Sequence, residues 1–175
     1  SSLWDQRQVF MMAVLSGKDG QGAWCGNARE AGGGDCAALV SRALDRALEV
    51  SRTYSGTADL VVWPENVLDV TELSSSKELQ EVGAEAERVG APFLVGITER
   101  DDNPGRFRNA QIAVLPDASV VSRYETKRRV PFGEYMPLRG LLDALGAPTD
   151  LVPRDAVAGT GPAVLSLPDG TRMGV

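Results

Sequence analysis

Apolar residues fall in short runs bounded by turn-forming residues, and two longer stretches repeat them at helical spacing. The run over 9–15 predicts a strand, and the polar, glycine-rich stretch from Ser16 through Gly34 predicts an open loop. Asp35 is placed to cap a helix over 35–52, in which Leu39, Val40, Ala43, Leu44, Ala47 and Leu48 form one apolar stripe. The short apolar run over 59–63 ends at Pro64, as expected of a strand buried on both faces, and leaves Glu65 just past its carboxyl end. Ser75 with Glu78 three residues on resembles a capping box opening a helix through Val89, closed by Gly90, with Leu79, Val82, Ala86 and Val89 on one face.

A further buried strand over 93–98 follows Ala91-Pro92, so the order is strand, helix, strand, helix, strand, an α/β pattern. Beyond a polar loop at 101–108, the segments 110–115 and 119–124 flank Pro116-Asp117-Ala118 and predict a hairpin. The same grammar recurs at 163–167, the turn Pro168-Asp169-Gly170, and Met173 onward. Parallel and antiparallel strands are therefore expected in one sheet system, and no repeat of 20–50 residues is present.

The chain has 175 residues, enough for one domain with a real core. Its 18 basic and 24 acidic side chains leave a net charge of −6, which argues against wrapping nucleic acid. It contains no histidine, which excludes Ser-His-Asp and Cys-His nucleophile pairs and imidazole metal sites within it. Cys25 and Cys36 are too few for a four-cysteine zinc site, and they leave the redox compartment open. No apolar run approaches the roughly 18 residues of a membrane span. Ser1-Ser2-Leu3-Trp4 carries neither an initiator methionine nor a signal sequence, and the chain runs straight through Met173-Gly174-Val175, so a longer parent protein is expected.

Chemistry must then run on carboxylates, amines and thiols. Glu65 stands where open α/β sheets place their ligands, or is a solvated loop acid. Lys127-Arg128-Arg129 is a basic run of the kind that usually forms a solvated face. In Val130-Pro131-Phe132-Gly133-Glu134-Tyr135-Met136-Pro137, two prolines and a glycine impose an irregular backbone around a glutamate and two aromatics. That stretch either holds a functional side chain, or is a surface turn with Phe132 in the core and Glu134 paired with an arginine.

Together these residues resemble a known family. Asp59-Leu60-Val61-Val62-Trp63-Pro64-Glu65-Asn66, then Tyr124, a lysine and Val130 through Pro137, are similar to the nitrilase (carbon–nitrogen hydrolase) domain of bacterial apolipoprotein N-acyltransferases. Gly96-Ile97-Thr98, Arg108-Asn109-Ala110, Pro153-Arg154-Asp155 and Gly159-Thr160-Gly161 extend the resemblance over nearly the whole chain. It implies an αββα sandwich, of which residues 1–175 would form a partial carbon–nitrogen hydrolase domain, the parent's membrane-spanning parts lying outside it.

The resemblance further implies a Glu, Lys, Glu, Cys site, with Glu65 as base, Lys127 as oxyanion stabiliser and Glu134 as second carboxylate. It implies no cofactor and no metal. The implied activity moves an acyl chain from a phospholipid, through a cysteine thioester, to the amino-terminal diacylglyceryl-cysteine of a lipoprotein, on the extracytoplasmic side of the cell membrane.

Two departures stand against the pattern. The family's lysine slot, two residues after the tyrosine, holds Thr126, and Lys127 comes one residue late, a shift that turns a strand residue to the other face. The family's nucleophilic cysteine follows a Gly-Val strand like Gly174-Val175, so the thiol is expected beyond these residues, and the fragment alone is expected to be inactive. Phe107, Met136, Leu138, Leu141 and Leu142 are either core or a lipid-facing lid. Two rivals remain: a soluble amidase or nitrilase of the same superfamily, and an inactive binding module, the latter motivated by Thr126.

Overall fold

The computed structural model describes residues 9–11 and 34–175, with side chains from residue 43 onward. Cys25, the Gly-rich loop and the part of the first predicted strand beyond residue 11 lie outside the described residues, as do the side chains of Asp35 and Cys36.

Nine strands and three α-helices are described: β1 (Val9–Met11), α1 (Gly34–Thr53), β2 (Leu60–Val62), β3 (Leu68–Val70), α2 (Lys77–Val89), β4 (Phe93–Arg100), β5 (Arg106–Val114), β6 (Val120–Glu125), α3 (Arg139–Ala144), β7 (Asp155–Val157), β8 (Val164–Ser166) and β9 (Arg172–Gly174). The apolar stripe of α1 is buried at Leu44, Ala47 and Leu48. The start of α2 corrects the expected cap: Ser76, not Ser75, accepts the Leu79 N–H, because Leu73–Ser75 forms a 3₁₀ turn that carries the chain one residue further. Gly90 ends α2 in the left-handed region at φ 74°, as a C-terminal glycine does.

The main sheet has seven strands, with the path β1-β2-β4-β5-β6 and with β3 and β7 beside β4 and β5. Strands β1, β2 and β3 run parallel to their neighbours, whereas β4–β5 and β5–β6 are antiparallel, which is the mixed sheet expected. The second hairpin, β8–β9, forms a separate two-stranded sheet.

Side-chain alternation gives the main sheet two apolar faces. Phe93, Val95 and Ile97 of β4 with Ala110, Ile112 and Val114 of β5 pack against Leu44, Ala47 and Leu48 of α1 and Leu79, Val82 and Ala86 of α2. On the opposite face Leu60, Leu94 and Ala113 pack against Leu165 and Leu167 of the small sheet. The layers are thus helix, sheet, sheet, three of the four layers of an αββα sandwich. No helix among the described residues is long and apolar enough to cross a membrane.

Candidate active site

Both edges of the β4–β5 pair are interrupted, beside Val95 and Gly96 on one edge and, two residues further along the pair, at Asn109 opposite Thr98 on the other, and the candidate acids enter through these two breaks. On the β4 edge, β2 pairs as far as Val62↔Leu94 and β3 begins again at Leu68↔Ile97, so residues 63–67 must bulge out beside Val95 and Gly96. Backbone bonds hold both feet of the bulge: Trp63 N–H to the Leu94 carbonyl at 2.8 Å, and Val67 N–H to the Gly96 carbonyl at 3.0 Å.

Gly96 allows this close crossing, since a Cβ there would stand 2.5 Å from Glu65 Cα and 2.7 Å from the Pro64 carbonyl oxygen. Asn66 takes the left-handed conformation at φ 58°, and its Oδ1 accepts from Thr98 Oγ1 at 2.9 Å, which holds the crest of the bulge. Trp63 anchors the base, 1% exposed and edge-on to Phe93 at 5.2 Å between centroids. Glu65 is therefore lifted onto the face opposite the helices, between two collinear strand segments, of which only the first was expected.

On the β5 edge, β6 pairs down to Ala110↔Glu125 and β7 takes over at Arg108↔Val157, leaving Asn109 between them. Thr126 continues the ladder, donating its N–H to the Asn109 carbonyl at 2.8 Å and accepting from Gly159 N–H at 3.0 Å. Gly159 has to be a glycine, because any Cβ would collide with the Glu125 backbone.

The segment that follows closes on itself. The Glu134 N–H donates to the Val130 carbonyl at 2.8 Å, and Glu134 Oε2 accepts from the Val130 N–H at 2.7 Å. Ala156 N–H donates to the Glu134 carbonyl, and Asp155 accepts from Met136 N–H and from Arg139, so β7 pins the turn to the sheet. Arg129 lies 4.4 Å over the Tyr135 ring and donates to the Ala156 carbonyl.

Glu65 and Glu134 meet at Asn109. Its Nδ2 donates to Glu65 Oε1 at 2.6 Å and approaches Glu134 Oε1 at 3.5 Å, the outer limit of a hydrogen bond. Asn109 is buried at 4% exposure and Glu134 is half-buried, while Glu65 is exposed at the rim. The segment does form a turn with an exposed tip, but two details of the surface-turn alternative are corrected. Phe132 is 61% exposed rather than in the core, and Glu134 forms no ion pair with an arginine among the described residues.

The basic run behaves differently. Thr126 stands opposite Asn109 on the site face of the ladder, whereas Lys127 is exposed, with its backbone N–H directed at Tyr124 Oη at 3.3 Å. Among the described residues the Lys127 ammonium forms no ion pair with either carboxylate. The structure thus gathers the two acids and leaves the amine at the rim. Asn109, part of the family-like Arg108-Asn109-Ala110, was not singled out as a site residue, because only the two sheet breaks give an interior asparagine two carboxylate neighbours.

Of the lid candidates, Phe107 is core at 7% exposure, while Leu138 and Leu141 are 74% and 57% exposed. A cleft of about 590 Å³ lies away from the two acids, on the helix side of the sheet. Part of its charge is paired within the lining: Arg108 bonds Asp101 at 2.7 Å and Glu125 at 2.9 Å, and Arg123 bonds Glu99 at 2.7 Å. Asp101 accepts from the backbone and side-chain N–H groups of Asn103, which, with the Arg108 guanidinium, hold its carboxyl below the usual range.

No family model matches the chain. It is 34% identical over 104 residues to the apolipoprotein N-acyltransferase of Pseudomonas aeruginosa, covering 58% of this chain and 20% of that protein. It is 31% identical over 131 residues to the apolipoprotein N-acyltransferase of Mycolicibacterium smegmatis, covering 72% of this chain and 22% of that protein. The chain thus matches about a fifth of the length of these curated relatives. Among solved structures it is similar to a carbon–nitrogen hydrolase superfamily protein from Xanthomonas campestris, with a TM-score of 0.51 at 18% identity over 75% of this chain and 45% of that one. The chain has the carbon–nitrogen hydrolase fold and, over its matched residues, is a homologue of the apolipoprotein N-acyltransferases.

Proposed function

We propose that this chain is the nitrilase-like part of an apolipoprotein N-acyltransferase and that Glu65, Lys127 and Glu134 belong to its active site. The observation that carries the reading is the meeting of Glu65 and Glu134 around the Asn109 amide, from opposite edges of one strand pair. Two acids so placed suit a thiol reaction without histidine: one takes and returns the proton, and the other orients its neighbours.

In this reading the thiol comes from a cysteine following Val175 in the parent protein. Glu65 removes the thiol proton, and the sulfur attacks the ester carbonyl of a phospholipid. Lys127, reaching in on its flexible stem, stabilises the tetrahedral oxyanion. Collapse breaks the ester C–O bond, and the lysophospholipid leaves with the proton held by Glu65. The amino group of a lipoprotein's diacylglyceryl-cysteine then attacks the thioester, an amide forms, and the sulfur is released to recover a proton. Both substrates are lipids, so the site opens at a bilayer, on the extracytoplasmic side, with anchorage from parts of the parent outside these residues.

An inactive binding module is the second reading, and the exposure of Lys127 with Thr126 on the site face favours it. Glu65→Gln in the full-length protein decides whether Glu65 serves chemistry. Acyl-enzyme thioester formed from a labelled phospholipid should be abolished while the melting temperature is retained. A variant that still acylates removes Glu65 from the mechanism, and a wild-type protein that forms no thioester supports the binding module.

A further inference from the structure

Asn109 spends buried amide capacity in a way that packing does not explain. At 4% exposure it lies opposite Thr98 on one side and Thr126 on the other, at the one position of β5 that neither β6 nor β7 covers. Its two neighbours are carboxylates, which accept but do not donate when ionised, so the nitrogen has to face them. The oxygen is then turned into the interior, where it finds no hydrogen-bond donor. A bare buried acceptor costs stability, and an apolar residue of the same size would avoid the cost.

We propose that Asn109 is a positioning residue: through its one amide nitrogen it holds the Glu65 carboxylate in a fixed orientation relative to Glu134. The inference rests on the acyltransferase reading and adds to it the group that aims its base. Glu65 needs such a partner. It sits on an exposed bulge, with no backbone donor to its carboxylate among the described residues, so the 2.6 Å bond from Asn109 is what limits its rotation. A base free to swing would spend most of its time out of line with the thiol.

The test uses the full-length protein with a phospholipid carrying a labelled acyl chain, and reads the acyl-enzyme formation rate, the half-saturating phospholipid concentration and the melting temperature. Asn109→Leu keeps the size and removes both amide groups. We expect it to melt no lower than wild type, yet to acylate on the order of 10²-fold more slowly at unchanged half-saturation. Asn109→Asp, which keeps the shape but loses the donor, should be equally slow.

A wild-type rate in either folded variant overturns the proposal. So does a rate in both variants that falls only in proportion to lost folding, since that is the mark of a structural role. Glu65→Gln run in parallel separates the two ideas. If it acylates normally the acyltransferase site is misassigned, whereas if it is dead while Asn109→Leu is normal only the positioning role fails.

Discussion

The residues of the candidate site differ in how firmly the backbone holds them. Glu65 is placed by a bulge whose feet are bonded to β4 and whose passage requires the missing side chain of Gly96. Gly96→Ala should therefore push the bulge off the sheet, costing about 1–3 kcal/mol by denaturant unfolding and displacing the acid. The amine is the least constrained group. If it reaches the oxyanion from its exposed position, Lys127→Ala should slow acyl-enzyme formation by about 10²–10³-fold, the effect of removing one oxyanion donor, and Thr126→Ala by far less. The reverse ranking in a single-turnover acylation assay would move the oxyanion role to the position opposite Asn109.

Among the elements, the β4–β5 turn shows how charge closes one end of the strand pair. Asp101 collects two N–H donors from Asn103 and the Arg108 guanidinium, and its carboxyl ionises below the usual range. A group depressed on folding stabilises the fold above its unfolded value of about 3.9, and that contribution disappears as pH falls through the lower folded value. Urea unfolding should find Asp101→Asn less stable than wild type at neutral pH, with the gap closing as the solution is acidified below about pH 4.

Helices α1 and α2 were legible from their apolar stripes, because a 3.6-residue period over 13 or 20 residues has few alternative readings, whereas the six-residue α3 was not. The strands β3 and β7 were not, since three residues carry no period and each exists only by pairing with a long neighbour. The cap of α2 slipped by one residue for the same kind of reason, a short 3₁₀ turn that the capping pattern does not encode.

At the scale of the whole molecule, the two faces of the main sheet are covered very differently. Helices α1 and α2 cover one, and the other depends on the small β8–β9 sheet, anchored chiefly by the fully buried Leu165 and by Leu167. Leu165→Ala should cost about 2–5 kcal/mol, as emptying a filled core site does. Leu151→Ala, at a side chain 72% exposed, should change stability little in the same denaturant titration.

Read alone, the sequence determined the alternation of strands and helices and the two hairpins through local periodicity and turn chemistry, it holds no imidazole within these 175 residues, and the likeness of a short motif pointed to the two candidate acids. Tertiary structure decided that the acids meet, that an interior asparagine stands between them, and that the neighbouring lysine faces outward. Those outcomes depend on two neighbouring strand breaks on opposite edges of one strand pair, joining residues 44 and 25 positions apart. Pairing over such separations follows from how whole strands register against one another, which no local pattern of side chains encodes.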